Sequence, residues 1–254
     1  MPPKVSIVIL CWHYMQYARV CLNSLTKIEG VPYEVVVVSQ GNTPEEVAEL
    51  EQFKAEGKIT TLVLEPKNTF FTKGNNIGFR NCNPASEYII LLNSDIAIRR
   101  PDWLEKFVGW MEGTTKYYPT EFAFHPTVPT PGPRDIVSMG FAYDAAVKPG
   151  NLRPDGFCIM IRRSVWIDLD EDFPMSNGLE HSLATAIRKG AKCGVLWNYV
   201  DYFVHREEAC RLRFRPAEFV STVKPDLAGW FNELNIESLD FHLGEYEHDS
   251  YWKW

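Results

Sequence analysis

Tyr88 to Leu104 reads YIILLNSDIAIRRPDWL. The run Glu87 to Leu92 (EYIILL) shows no polar alternation, so it predicts a strand buried on both faces. It ends abruptly on Asn93-Ser94-Asp95. An apolar, strand-like step follows (Ile96, Ala97, Ile98), and then a helix predicted over Pro101 to Met111 with proline in its first turn. A carboxylate at the end of a buried strand is costly to desolvate unless it has a partner. A divalent cation is a natural one, because Mg²⁺ and Mn²⁺ prefer oxygen ligands and commonly also hold substrate phosphates. A turn or helix-cap aspartate is the plainer alternative.

Upstream, the same alternation repeats. Val5 to Leu10 (VSIVIL) predicts a buried strand, and Tyr14 to Ile28 a helix ended by Gly30 and Pro32. Glu34 to Val38 predicts a second strand, rich in β-branched residues. Pro44 opens a helix to about Glu56, with Glu45 and Glu46 in its first turn. Ile59 to Leu64 predicts a third strand. Thr72 to Cys82 predicts a helix weakened by Gly74 and Gly78. Strand alternating with helix predicts a mostly parallel sheet covered on both faces. Ligands of such sheets sit at the carboxyl ends of the strands. That rule selects the loops after Leu10, Val38 and Leu92.

Downstream the pattern loosens. Tyr118 to Arg134 contains Pro119, Pro126, Pro129, Pro131 and Pro133, and reads as a loop or flap. Gly156 to Ile161 predicts a strand, and Leu179 to Lys189 a helix stopped by Gly190. Lys192 to Leu196 and Tyr199 to Val204 predict two short strands. From Pro216 the tail is aromatic and ends in YWKW. No internal repeat or dividing linker is evident. The 254 residues carry a net charge of −7, which gives no overall basic footprint for nucleic acid. One local basic cluster, Arg206 with Arg211, Arg213 and Arg215, reads equally as a solvated face or a phosphate contact. The six cysteines form no C-x-x-C pair and suggest buried free thiols in a reducing compartment. No apolar run is long enough to span a bilayer, and the N-terminal apolar stretch is strand-sized. The expectation is a cytoplasmic or cytoplasm-facing protein, with contact to a membrane surface left open.

Five stretches resemble family 2 glycosyltransferases, in the family's order. Asn93-Ser94-Asp95 resembles the family's D-x-D region in the variant LLNxD. Val5 to Tyr14 resembles its first strand and nucleotide-contacting loop, and Cys21 to Leu25 its "L.SL" helix motif. Asn68 to Gly78 (NTFFTKGNNIG) resembles the "N.GfagGnNiG" stretch lining the donor site. Gly156 to Trp166 resembles the "g.ciliRR..f" strand before the acceptor region. The matches span most of residues 4 to 206 and lean towards the rhamnosyltransferase-like branch. The resemblance implies a GT-A fold: a Rossmann-like, mostly parallel sheet flanked by helices, with a smaller acceptor-side subregion. It implies a nucleotide-binding half over about 1–113, an acceptor-side half over about 114–215, and a helical, aromatic extension over 216–254.

The resemblance also implies a metal-dependent, inverting transfer of a sugar from a UDP- or dTDP-sugar to a hydroxyl acceptor, in glycan biosynthesis. Asp95 would hold Mn²⁺ or Mg²⁺, with His205 as a second ligand and Asp201 a weaker candidate nearby. Asn93, Lys73 and Asn76 would contact the donor. Ser39 stands where the family places a base-reading aspartate, so Ser39 or Gln40 would meet the base edge. Glu180 matches the glutamate of the family's "ED" motif, and His181 stands at its aspartate. Either could take the acceptor's proton, an imidazole being well suited to that at neutral pH. Trp12, Tyr14, Phe70, Phe71 and Trp197 could line the site or simply pack the core. The competing readings are a catalytically inactive nucleotide-sugar-binding module and a scaffold. A sugar nucleotidyltransferase would want a glycine-rich loop after the first strand, where this chain has Cys11-Trp12-His13-Tyr14.

Overall fold

The computed structural model describes residues 2–114, 132–139, 154, 156–173, 176–196, 203–205 and 236–238. Most of the proline-rich stretch, the arginine cluster, Trp197, Asp201 and the YWKW terminus lie outside them. Ten strands and five α-helices follow in the order β1 (Val5–Cys11), α1 (Met15–Leu25), β2 (Tyr33–Gln40), α2 (Pro44–Ala55), β3 (Thr61–Glu65), α3 (Phe70–Arg80), β4 (Tyr88–Asn93), β5 (Ile96–Ile98), α4 (Trp103–Glu112), β6 (Ile136–Met139), β7 (Cys158–Arg162), α5 (Ser176–Arg188), β8 (Cys193–Leu196), β9 (Phe203–His205) and β10 (Ile236–Ser238).

Eight strands form one sheet in the order β10-β8-β6-β7-β4-β1-β2-β3. Every neighbouring pair is parallel except the two made by β7, which runs against β4 and β6. Alternate residues of each strand feed opposite faces. Val5, Ile7 and Ile9 of β1, Val35 and Val37 of β2 and Ile90 of β4 join Leu22, Leu50 and Phe107 from α1, α2 and α4 on one face. Val8, Val36, Ile89 and Leu91 join Leu179, Leu183 and the partly buried Phe79, from α5 and α3, on the other. Burial on both faces is why these strands read as unbroken apolar runs.

The glycines of α3 allow a close approach. A Cβ on Gly78 would lie 2.3 Å from Val8 Cγ1, and one on Gly74 would lie 2.8 Å from Gln40 Oε1. The residues that weaken the helix in isolation are the ones that let it dock on β1 and β2.

Two strands escape the sequence reading. β6 (IVSM) is short and sits beyond the proline-rich stretch. β10 lies in the expected helical, aromatic extension, yet it pairs in parallel with β8 and forms one edge of the sheet. Among the described residues, then, part of the chain beyond 215 pairs into the central sheet. No helix among the described residues is long and apolar enough to cross a membrane. Five described cysteines are free and buried.

Candidate active site

The sheet register aligns three loops at one edge. Cys11 at the end of β1 pairs with Ser39 of β2, and Leu10 lies between Val38 and Asn93. The backbone N–H of Asn93 donates to Phe157 O at 2.9 Å, which brings the start of β7 to the same place. Asn93 and Ser94 are half-buried, and Asp95 is 3% exposed in the turn before β5. Its Oδ1 is buried, and the residue takes part in further interactions.

β5 pairs antiparallel with β9, and the register sets His205 opposite Ile96, one residue beyond Asp95. Phe203 anchors β9 by packing edge-on against Trp103, with ring centroids 5.1 Å apart, and Trp103 itself is fully buried. The backbone therefore brings together the two positions expected to hold a metal, Asp95 and His205. Among the residues whose side chains are described, no cluster of three metal-ligating side chains forms.

The β1–α1 and β2–α2 loops are tied together. Asn42 accepts from the His13 backbone N–H at 2.6 Å and donates to Cys11 O and Ser39 Oγ. His13 Nδ1 lies 2.8 Å from Glu46 Oε2, an atom that also accepts from the Thr43 backbone N–H. His13 and Tyr14 have φ of 56° and 52°, and Phe70, opening α3, has 64°. Each such left-handed non-glycine residue costs about 1–2 kcal/mol. All three non-glycine residues with positive φ among the described residues lie on loops at this edge, beside the half-buried rings of Trp12 and Phe71. Strain of this kind collects where a site needs a fixed backbone shape.

The donor-contact expectations divide. Ser39 is 1% exposed, with its hydroxyl accepting from Asn42. Gln40 is 3% exposed, with its carbonyl accepting from the backbone N–H and hydroxyl of Thr69. Both side chains thus tie neighbouring loops together at the ends of β1 and β2. Asn76 is tied in the same way. Its amide nitrogen donates to Leu169 O and Glu171 Oε1, and its oxygen accepts from Leu169 N. It is a clamp between α3 and the 168–171 segment, at 1% exposure. Lys73 is exposed on the first turn of α3 and makes no ion pair among the described residues.

That clamped segment leads to α5. Ser182 Oγ donates to Asp168 O and accepts from Asp170 N, and Asp170 N also reaches Gly178 O. A Cβ on Gly178 would come within 2.3 Å of both Thr72 Cγ2 and Asp170 O, so only glycine lets the start of α5 seat against the start of α3. Glu180 faces inward at 9% exposure with Oε2 buried, and it too makes other interactions. His181 is more open, and its Nδ1 lies 2.8 Å from Asp170 Oδ2. Sequence reading missed Asp170. Its signal was the acidic run Asp168-Leu169-Asp170-Glu171-Asp172 just before a helix.

No curated protein matches the sequence. Among solved structures, the mannosyltransferase PcManGT from Pyrobaculum calidifontis, in complex with GDP-Man and Mn²⁺, superposes with a TM-score of 0.54 at 16% identity over 75% of this chain and 54% of that one. Residues 1–349 of S. aureus TarS in complex with UDP give a TM-score of 0.54 at 16% identity, over 79% of this chain and 59% of that one. The chain thus spans between half and three-fifths of the length of these neighbours, and at such identity they speak for the fold alone. Neither is a rhamnosyltransferase by name. The family 2 glycosyl transferase profile matches residues 6–169, from the first strand through the Asn93–Asp95 turn to the segment that Asn76 clamps. That match covers well over half of the chain and the strand ends that build the site, and the chain therefore belongs to glycosyl transferase family 2.

Proposed function

We propose that this chain is a divalent-metal-dependent glycosyltransferase that moves a sugar, with inversion, from a nucleoside-diphosphate donor to an acceptor hydroxyl in glycan biosynthesis. The observation that carries the reading is the register at the carboxyl edge. β1, β2 and β4 end side by side at Cys11, Gln40 and Asn93, Asp95 follows within the turn after β4, and the family profile covers all of them. GDP-Man with Mn²⁺ in one structural neighbour and UDP in another support a nucleotide-bound donor.

The donor set fits a hard cation: Asp95 would hold Mn²⁺ or Mg²⁺, with His205 as the second protein ligand. When bound, the cation neutralises charge on the departing diphosphate. The chain's own residues supply the rest. Lys73 and the start of α1, which lacks a side-chain cap, offer positive charge and backbone N–H groups to the phosphates. Asn93 offers a neutral hydrogen bond where many relatives carry an acid. At the other side, the start of α5 presents Glu180 and His181 to the acceptor, and one of them takes the hydroxyl proton as the oxygen attacks the anomeric carbon. The five free, buried thiols support work in a reducing compartment.

The test is nucleoside-diphosphate release from a panel of UDP-, dTDP- and GDP-sugars, with Mn²⁺ or with chelator. One donor should be turned over with metal and not with chelator, and Asp95→Ala should lower turnover by about 100-fold or more. Binding of one donor with no release, even with a hydroxyl acceptor panel added, would favour the inactive binding module. No binding of any donor would overturn the reading.

A further inference from the structure

We infer that Asp170 is a positioning residue that orients His181 as the proton acceptor, so that an imidazole–carboxylate pair works where relatives place a single carboxylate. The inference rests on the glycosyltransferase reading above and names the group left open there. His181 Nδ1 lies 2.8 Å from Asp170 Oδ2. The other oxygen of that carboxylate accepts from the Asp172 backbone N–H at 3.1 Å, which fixes its rotation. Asp170 N is held by Ser182 Oγ on α5, and the adjacent Leu169 is held by Asn76 on α3. The Phe173 ring sits 5.8 Å from the imidazole, centroid to centroid. The pair is therefore set between two helices that the sheet already fixes. Its position at the start of α5, against the first turn of α3, puts it on the rim where the strand ends lie.

The two candidates differ in their surroundings. Glu180 is buried with Oε2 turned into the protein, whereas His181 and Asp170 are half-buried. A group that must meet an incoming acceptor needs the second kind of place. A carboxylate on Nδ1 selects the tautomer with its proton there, which leaves Nε2 as the basic nitrogen. The acceptor O–H proton then goes to Nε2. The freed electron pair forms the new bond to the anomeric carbon, and the old anomeric C–O bond breaks with its pair left on the diphosphate. Asp170 stabilises the resulting imidazolium until it returns the proton to solvent. An asparagine at 170 can still accept from Asp172 N, but its amide donates towards Nδ1 and favours the wrong tautomer.

The experiment compares wild type, Asp170→Asn, Asp170→Glu and His181→Asp in full-length protein, with the donor identified by the release panel and Mn²⁺ present. Asp170→Asn should lower kcat by about 10²–10⁴-fold, with donor KM within about threefold of wild type. Asp170→Glu should recover part of that loss. Nitrogen NMR of labelled His181 should show the Nδ1–H form in wild type and the Nε2–H form in Asp170→Asn. In the His181→Asp background, adding Asp170→Asn should cost less than about threefold in kcat, because the carboxylate base no longer needs an orienting partner. Unchanged kcat in Asp170→Asn, an equal loss in both backgrounds, or an Nε2–H tautomer in wild type would each overturn the inference. A wild type that turns over no donor would instead sink the glycosyltransferase reading, and the tautomer spectra would still report on the pair. If Asp170→Asn melts early, Asp170→Glu and the wild-type His181 tautomer spectrum still decide.

Discussion

Cys11 ends β1 inside the core, at the foot of the candidate site, and burial pushes its thiol up from 9.0 to about 12, with the carboxylate of Glu46 adding to the shift. Burial raises Cys82 to about 12 as well, and it also raises Cys21 and Cys158 above 9.0. Between these values and 9.0 the unfolded chain loses thiol protons that the folded chain keeps. Stability from these groups is therefore complete below about pH 9 and declines as pH rises, by up to about 1.4 kcal/mol per pH unit for each thiol. Urea melts taken between about pH 8 and pH 10.5 should show this decline, and Cys11→Ala should remove its share of the slope. A flat profile would contradict the burial assigned to these thiols. The same burial keeps the thiols from acting as nucleophiles, since the thiolate is the reactive form.

At the scale of elements, the helix starts divide by what closes them. Thr43 and Glu46 form a reciprocal capping box at the start of α2, whereas α1 begins at Tyr14 in a left-handed turn without a side-chain cap. Asn42 bridges the two loops, holding the His13 backbone N–H in place while meeting Cys11 and Ser39. Asn42→Ala should lower stability by about 1–3 kcal/mol, because buried polar groups lose their partners. Donor affinity should fall further than that alone explains, since the strained loop would relax. Paired thermal melts and calorimetric titration with donor would show it, and an unchanged affinity would mean that the loop's shape does not serve the donor. The main strands and helices were legible in the sequence because β-branched runs, Pro44 and Gly190 mark them directly. β6 was not, since IVSM becomes a strand only between β7 and β8, which come later in the chain. The roles of Ser39 and Asn76 were hidden for a related reason. Asn76 bonds to residues 93 and 95 positions away, and no local pattern announces such a partner.

For the molecule as a whole, β1 and β4 sit inside the sheet with helices on both faces, while β3 and β10 form its edges. Amide hydrogen exchange should be slowest in β1 and β4, approaching the rate of global unfolding, and faster by about 100-fold or more in β3 and β10. Equal protection across the sheet would argue against this layering. The strand-end aspartate and its loops were visible in the sequence because the sheet's polarity fixes where ligands gather. Of His181 and Asp170 only the first stood out in the sequence, because the two meet through tertiary contacts that tie their segments to α3 and α5. The reversed direction of β7 has one more result. β6 ends and β7 begins at the same rim of the sheet, the one at which β1 and β4 also end. A change in the length of sequence between those two strand ends leaves the order and direction of the strands untouched, so the chain can vary at this rim without rethreading the sheet.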